Sequence, residues 1–228
     1  MLFSLLRGEL DFSSAVIEIL AILAIIFLVL PFHEWAHAFT ASKLGDTSIK
    51  YRGRLTLNPL AHVDPIGALA LLLFGFGWAK PVPVDPRNFK NSKVGMAIVA
   101  LMGPIANIIA AIAGGLILQA LGTFALGFVF SNTIGTYIVM FLSFYITVNI
   151  RLAVFNLLPI PPLDGSKILF VFLPDKWVYK FYQYQQIISM VLIAMLWIGL
   201  LDGPLNFLSD YVSMFVGWIT TLPFLPFR

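Results

Sequence analysis

Long apolar runs separated by short polar segments organise this 228-residue chain. About 20 consecutive apolar residues are needed for a helix to cross the hydrocarbon core of a bilayer. By this criterion the pattern predicts five spanning helices, of which the last two are short enough to be tilted or only partly inserted. The predicted spans cover residues 14–44, 94–121, 133–158, 186–201 and 205–222.

The pattern changes between the first and second spans. Residues 66–79 are apolar, but a run of 14 residues is too short to cross, which predicts a re-entrant segment or a buried short helix. Residues 47–57 alternate like a strand pair, and Val82 and Val84, placed between prolines, predict an edge strand. Irregular backbone at membrane depth needs cover from protein or water. We therefore expect this small β element to line a cavity.

Composition indicates a membrane protein rather than a soluble one. Hydrophobic residues make up 60% of the chain and charged residues only 11%, whereas soluble domains carry about 25% charged residues. We therefore expect an all-α polytopic membrane protein. Its length predicts a single domain over residues 1–228, without room for a separate soluble module.

Charged residues indicate the orientation of the chain in the cell membrane. Eight of the 14 Lys and Arg residues lie between positions 43 and 93, and none lies between 122 and 132. Because cytoplasmic loops carry an excess of Lys and Arg, this distribution predicts an N-terminus outside and a C-terminus in the cytoplasm. The net charge of +3 is therefore explained by basic residues that orient the chain in the membrane. Because they need no other explanation, no nucleic-acid partner is expected.

The sequence His33-Glu34-Trp35-Ala36-His37 lies inside the first predicted span. Positions i and i+4 share one face of a helix, so both imidazoles can bind one metal ion while Glu34 reaches a water on that metal. Ionisable residues inside a membrane are costly and indicate function. The chain has no cysteine, which excludes thiolate ligands and a cysteine nucleophile.

A catalytic zinc site needs a third protein ligand besides these two histidines. No glutamate follows Glu34, and Lys43 stands where a longer zinc motif has another histidine. The candidates are therefore His62 and the downstream aspartates. Asp164 is the strongest, because prolines at 159, 161 and 162 break the end of the third span and can present a side chain there. The alternative is an aspartate that only caps the next helix.

Depth along the helices also favours convergence. At about 1.5 Å per residue, His33 lies roughly 16 Å from the inner end of the first span, and Asn107 lies about 20 Å from the inner end of the second. Asp164 follows the inner end of the third span. These polar positions fall on the cytoplasmic side of the membrane core, where we expect the active site.

Three motifs, in this order, resemble the site-2 proteases, a family of intramembrane zinc metalloproteases. They are the zinc motif at 33–37, the sequence Gly103-Pro104-Ile105-Ala106-Asn107, and the run 156–165 that ends in Leu-Asp-Gly. The resemblance covers a three-helix catalytic core, about residues 14–170, and implies that the helices at about 171–228 flank it. The loop sequences are similar to those of compact prokaryotic members without a PDZ or CBS module.

The resemblance implies a role for each motif residue. His33, His37 and Asp164 would bind Zn²⁺, and Glu34 would be the catalytic base. Asn107 would help to stabilise the tetrahedral intermediate or to position the substrate, with a simple interhelical hydrogen bond as the alternative.

Another group of residues looks like the segment with which the family clamps its substrate. It consists of Asn156, Pro159 and Pro161, for which simple helix termination is the alternative. His62 is interpreted as a loop residue or as a neighbour of the metal ligands.

The predicted function is hydrolysis of peptide bonds within or near transmembrane helices of membrane-protein substrates, in the lipid bilayer. A metal transporter or a zinc-binding membrane scaffold is the alternative. A transporter would repeat acidic or histidine residues on several spans, whereas this chain has three histidines and almost no acids in the later spans. The sequence leaves the oligomeric state open.

Overall fold

The computed structural model describes residues 19–74 and 77–227, and these ranges are predominantly helical. The all-α prediction is therefore confirmed for the described residues. In chain order the helices are α1 (Ile19–Lys43), α2 (Ser48–Tyr51), α3 (Pro65–Phe74), α4 (Ser92–Phe124), α5 (Leu126–Ser131), α6 (Thr133–Asn156), α7 (Asp164–Leu169), α8 (Asp175–Gln183), α9 (Gln185–Trp197) and α10 (Asp202–Thr221). Short 3₁₀ turns cover Pro59–Ala61, Pro86–Asn88 and Leu222–Phe227.

Three helices, α1, α4 and α6, are long and apolar enough to cross a membrane. They correspond to the first three predicted spans, although residues 14–18 of the first lie outside the described residues. Helix α1 contains a π-helical turn, Ile25–Val29, which ends two residues before Pro31. Proline has no backbone N–H to donate to the carbonyl four positions earlier, so the regular hydrogen-bond ladder is interrupted at this point.

Helix α4 is the central element and packs against α1, α6, α7 and α10. Ala111, Ile150 and Val216 form a buried cluster where α4, α6 and α10 meet. Close approach depends on small residues, because a Cβ at Gly115 would lie 2.7 Å from Cγ2 of Thr220. Small residues at helix contacts are typical of membrane bundles, in which packing rather than the hydrophobic effect drives helix association.

The predicted fourth and fifth spans fall in α9 and α10, which meet at a sharp bend of 82°. Gly199 lies at the break with a φ of +72°, a left-handed conformation that glycine adopts without steric cost. By length and composition the pair amounts to at most one crossing, so the prediction of two separate spans is wrong. Hydropathy measures apolar length, and it does not distinguish a short break within one span from a loop between two.

Residues 47–57 form helix α2 followed by turns, so the predicted strand pair is wrong. Asp46 supports the helical turn, because its Oδ1 accepts hydrogen bonds from the backbone N–H and the hydroxyl of Ser48, at 3.2 and 2.6 Å. Gly53 then turns the chain with a φ of +64°. Local hydrogen bonds between side chain and backbone therefore prevailed over the alternating pattern.

The predicted edge strand at Val82 and Val84 is not formed either. Over residues 19–74 and 77–227 the structure contains no strand, and Val63 and Ala79 make an isolated antiparallel bridge. Prolines at 81 and 83 remove two of the N–H groups that a ladder would need.

Helix α3, which has ten residues, begins at Pro65 and covers the first part of the apolar segment 66–79. This helix is short, as predicted, and is buried on one side only: Ile66 and Leu69 are exposed, at 69% and 54%, whereas Gly67 and Ala70 are buried. Its re-entrant placement in the bilayer stays a prediction.

Candidate metal centre

His33 and His37 project from one face of α1, one helical turn apart. Their ring centroids are 4.6 Å apart, the rings are nearly perpendicular, and the two Nε2 atoms are separated by 3.0 Å. Both residues are buried, with 4% and 7% of their surface exposed. The spacing in the sequence thus brings two imidazole nitrogens to one point.

Asp164 joins them from a distant part of the chain. Helix α6 ends at Asn156, and the proline-rich segment after it leads to Leu163, whose backbone is extended, before Asp164 begins α7. Oδ2 of Asp164 lies 3.3 Å from Nε2 of His33 and 3.1 Å from Nε2 of His37. The three residues offer ligand atoms that all lie within 4.8 Å of one another.

The Nδ1 atom of each imidazole donates a hydrogen bond to an oxygen atom of helix α4. Nδ1 of His37 donates to the carbonyl oxygen of Val99 at 2.8 Å, and Nδ1 of His33 donates to Oδ1 of Asn107 at 3.2 Å. With the proton on Nδ1, each Nε2 carries a lone pair that faces the Asp164 carboxylate. Three electron-rich atoms separated by 3.0 to 3.3 Å repel one another unless a cation lies among them. The donor set therefore fits a bound metal ion.

Lys167 contacts the second oxygen of Asp164. Its Nζ lies 3.1 Å from Oδ1, while Oδ2 faces the imidazoles. Hydrogen bonds of this kind fix the orientation of carboxylates that bind metals. Lys167 therefore orients Asp164 in the same way that Val99 and Asn107 orient the histidines.

The backbone of α4 passes directly beside the imidazoles at Gly103. A Cβ at this position would lie 2.5 Å from Nε2 of His37 and 2.5 Å from Cε1 of His33. Real Cβ atoms essentially never make nonbonded contacts this short, so a side chain at position 103 would displace the candidate ligands.

Gly103→Ala is therefore expected to lower the affinity for metal by about 10–100-fold, the range seen when the support of metal ligands is disturbed. Gly122→Ala is the matched control on the same helix, because a Cβ there would meet no atom within 4 Å. Zinc affinity of both purified variants, measured by competition with a chelator, checks the prediction. Equal affinities would contradict the close approach of α4 to the histidines.

A cavity of about 330 Å³ opens onto the three candidate ligands, and Glu34 lines it with them. The segment Pro81–Val84 forms one wall of this cavity. Oε2 of Glu34 accepts a hydrogen bond from the backbone N–H of Val82 at 3.0 Å. The carboxylate that follows His33 in the sequence is therefore held in the same cavity as the candidate metal ligands.

The predicted substrate segment contributes part of the cavity lining. Asn156 lines the cavity, with its Nδ2 donating to the carbonyl oxygen of Leu152 at 3.0 Å. Pro162 also lines it, whereas Pro159 and Pro161 are not among its lining residues. Of the three predicted residues, the structure thus brings Asn156 alone into the lining of this cavity.

Asn107 and His62 lie outside the cavity wall. Asn107 is fully buried, and its Nδ2 has no hydrogen-bond partner among the described residues. His62 is buried in the loop after α2, where its Nε2 donates to the carbonyl oxygen of Thr56 at 2.8 Å. It belongs neither to the three-residue metal group nor to the cavity lining, as expected of a loop residue.

Sequence reasoning did not identify Lys167 as part of the site. It placed Val82 in an edge strand that lines a cavity, but it did not predict the contact of Val82 with Glu34. Lys167 follows Asp164 by three residues, a spacing that places two side chains on one face of a helix. Val82 lies between two prolines, so its N–H is one of the few donors that this segment can offer. Both signals are present in the sequence, but neither indicates what the two groups contact.

Comparison with known proteins gives one family and several relatives. A model of "Peptidase family M50" matches residues 20–199. The "Putative zinc metalloprotease YwhC" of Bacillus subtilis (strain 168) is 42% identical over 147 residues, which are 64% of this chain and 66% of that protein. The "Putative zinc metalloprotease Rip2" of Mycolicibacterium smegmatis is 34% identical over 138 residues, which are 58% of this chain and 49% of that protein. No solved structure matches the chain significantly.

Proposed function

The chain belongs to peptidase family M50, and from this membership we propose that it is a zinc-dependent metalloendopeptidase that hydrolyses peptide bonds within or near the transmembrane helices of membrane proteins. The convergence of His33, His37 and Asp164 beside Glu34, in one cavity, is the observation that carries the proposal. Two imidazole nitrogens and a carboxylate oxygen form a ligand set that catalytic zinc uses, with a further position open to water.

We propose that zinc is held by Nε2 of His33, Nε2 of His37 and Oδ2 of Asp164. When bound, it would polarise the scissile carbonyl and make water more acidic. Two hydrogen bonds support this assignment: His37 donates to the carbonyl oxygen of Val99, and Lys167 donates to Asp164. Both orient ligand atoms toward a common point in the absence of metal.

Glu34 is proposed as the catalytic base. Its carboxylate would accept a proton from the attacking water and later donate it to the amine nitrogen of the leaving peptide. Its position in the cavity wall beside His33 supports this role.

Asn107 is proposed to act through His33. Its Oδ1 accepts the hydrogen bond from Nδ1 of His33, and Asn107 does not contribute to the cavity lining. Its unpartnered Nδ2 keeps the oxyanion role open as a prediction, because an amide N–H is a suitable donor for developing negative charge.

Two variants separate these roles. Asn107→Ala is expected to lower zinc affinity by about 10–100-fold, because Nδ1 of His33 loses its acceptor. Asn107→Asp keeps an oxygen acceptor and is expected to retain both zinc and most of kcat. A metal-loaded Asn107→Asp variant that loses kcat by about 10²–10³-fold would instead support the oxyanion role. Zinc titration and kcat are measured on the same samples.

The proposed substrate is a membrane protein whose chain is extended at the cleavage point. A helical peptide bond is shielded by the hydrogen bonds of its own backbone, so the substrate helix must unwind before hydrolysis. Asn156 and the segment through Pro159 and Pro161 would hold the unwound chain. The position of Asn156 and Pro162 in the cavity lining supports this placement.

Residues 1–228 are proposed to form a single domain, with a core at about 14–170 and C-terminal helices at about 171–228. The packing of α10 against α4 and α6 supports this, because it joins the C-terminal helices to the core. Helix α3 is proposed to be re-entrant, since ten residues are too few to cross and its exposed Ile66 and Leu69 can face lipid.

The N-terminus is proposed to lie outside and the active site near the cytoplasmic side, where the basic residues between 43 and 93 join α1 to α4. Phe124, at the far end of α4, contacts Phe224 and Phe227 at ring distances of 6.1 and 5.3 Å. This contact supports an arrangement in which α9 and α10 together cross once and residue 227 lies on the outer side, rather than the cytoplasmic C-terminus expected from five spans.

A metal transporter is the less favoured alternative. A transport path needs successive metal sites across the membrane, and the described residues contain one group of three histidine or acidic side chains that could hold an ion. A single metal site fits a zinc-binding scaffold as well as a protease, so a measurement of proteolytic activity distinguishes these two functions.

Purified protein in lipid vesicles tests the proposal. It is expected to bind roughly one zinc per chain and to cleave an embedded peptide that has one transmembrane helix. Removal of the metal should abolish cleavage, and added zinc should restore it. Zinc flux into the vesicles without cleavage would contradict the proposal and favour transport.

A further inference from the structure

The segment 80–85, which includes the cavity wall Pro81–Val84, has no free backbone donor. Pro81 and Pro83 lack an N–H, and every other N–H in the segment is already bonded. Lys80 donates to the carbonyl oxygen of His62 (2.8 Å), Val82 to Oε2 of Glu34 (3.0 Å), Val84 to the carbonyl oxygen of Val82 (3.0 Å) and Asp85 to Oδ2 of Asp46 (2.8 Å). Among these four, Val82 donates to the proposed catalytic base.

Buried charged residues hold the wall at both ends. Nη2 of Arg54, a residue that is 7% exposed, donates to the carbonyl oxygens of Lys80 and Pro81 at 3.1 and 2.8 Å. Asp46 is fully buried and accepts hydrogen bonds from the backbone N–H of Asp85 and from Nδ2 of Asn88, both at 2.8 Å. Val82 therefore lies in a short segment that buried side chains fix at both ends.

The charge of Asp46 is maintained at neutral pH. Burial opposes its ionisation, but the hydrogen bonds from Asp85, Ser48 and Asn88 outweigh that effect and hold the pKa of Asp46 below its usual value. The wall is thus anchored under the conditions in which a protease in a cell would work.

An extended substrate that lies along this wall needs a donor from it, because strand addition depends on hydrogen bonds between the two backbones. The N–H of Val82 is directed into the cavity, where it already donates a hydrogen bond to Oε2 of Glu34. A carbonyl oxygen of the substrate and the Glu34 carboxylate therefore compete for one N–H group.

On the basis of the proposed function, we infer that the backbone N–H of Val82 is a shared donor that links substrate binding to the release of Glu34. Before substrate binds, it holds Oε2 of Glu34. A carbonyl oxygen of the extended substrate then takes over this N–H, and Oε2 becomes free to accept the proton of the attacking water. Peptides too short to reach Val82 leave Glu34 held and are cleaved slowly even at saturation.

The test compares a long peptide with a truncated one that has the same scissile bond. For the wild-type protein, kcat should be about 10–100-fold higher for the long peptide, the effect of one hydrogen bond to a charged group. Val82→Pro removes the N–H and should raise kcat for the short peptide until it equals that for the long one. Val82→Ala keeps the N–H and should preserve the difference. An equal loss of kcat for both peptides in Val82→Pro would overturn the inference, because Val82 would then only position Glu34.

A second measurement uses the wild-type protein alone, in case Val82→Pro does not retain its metal. Peptides lengthened one residue at a time should show a step in kcat at one length, and an ester in place of the amide at that position should remove the step, because an ester carbonyl is the weaker acceptor. A series in which only KM changes overturns the inference. If wild type and Val82→Ala cleave no peptide at all, the proposed function fails. An active protein whose kcat does not depend on peptide length overturns only the inference about Val82.

Discussion

Glu34→Gln is expected to lower kcat by about 10²–10⁴-fold while the protein keeps its metal, because an amide cannot accept the proton that general base catalysis requires. The substitution preserves the shape of the side chain, and the amide oxygen can still accept the hydrogen bond from the N–H of Val82. The cavity wall and the metal centre should therefore remain as they are. Cleavage of an embedded peptide and zinc content, both measured on the same preparation, check the prediction.

Asp175→Asn is a suitable control for this change from carboxylate to amide. Asp175 lies on α8 with 91% of its side chain exposed, and it pairs with Lys93 at 2.6 Å. Exposed ion pairs contribute little to stability, so kcat and zinc content should both stay at the wild-type level. A Glu34→Gln variant that cleaves at the wild-type rate would show that another group is the base.

Asp164→Ala is expected to lower zinc affinity by at least about 100-fold, more than the loss of a supporting hydrogen bond, because a ligand itself is removed. Cleavage should fall with it at limiting zinc. The two histidines remain, but Lys167 loses the carboxylate at 3.1 Å that balances its charge. Competition with a chelator measures the affinity, and a thermal unfolding curve without metal shows whether the fold is retained.

Asp202→Ala provides the matched control for Asp164→Ala. Each aspartate is the first residue of a helix, α10 and α7 respectively, but Asp202 is exposed and belongs to no group that could hold a metal among the described residues. Its substitution should leave zinc affinity unchanged. If Asp164→Ala binds zinc as tightly as the wild-type chain does, the proposed ligand set is wrong.

The parts of the site that the sequence predicted follow from local rules. Helix periodicity alone brings His33 and His37 to one face of α1, and the structure places their Nε2 atoms 3.0 Å apart. The proline-rich end of the third span predicted a break that presents Asp164, and this residue does lie beside the two imidazoles. Length and apolarity were sufficient to predict α1, α4 and α6.

The parts that were missed depend on contacts between distant segments or on single backbone angles. The hydrogen bond between Val82 and Glu34 joins residues 48 positions apart, and no periodicity reports such a pair. The bend between α9 and α10 depends on the positive φ of Gly199, a single residue in a run that otherwise has the composition of a span. Between α1 and α4, the side chain of Asp46 favours a helical turn where alternation had indicated strands.

The π-helical turn Ile25–Val29 separates the beginning of α1 from the part that carries the zinc motif. A π turn holds about one residue more than an α turn, and each residue of a helix advances by about 100° around the helix axis. The side chains before the turn are therefore rotated about the axis by roughly a quarter of a circle, relative to the pattern that the zinc-motif part would continue. Shortening the turn by one residue would leave the azimuth of the histidines unchanged, but it would swing the buried Ile22 toward lipid and an exposed neighbour toward the bundle.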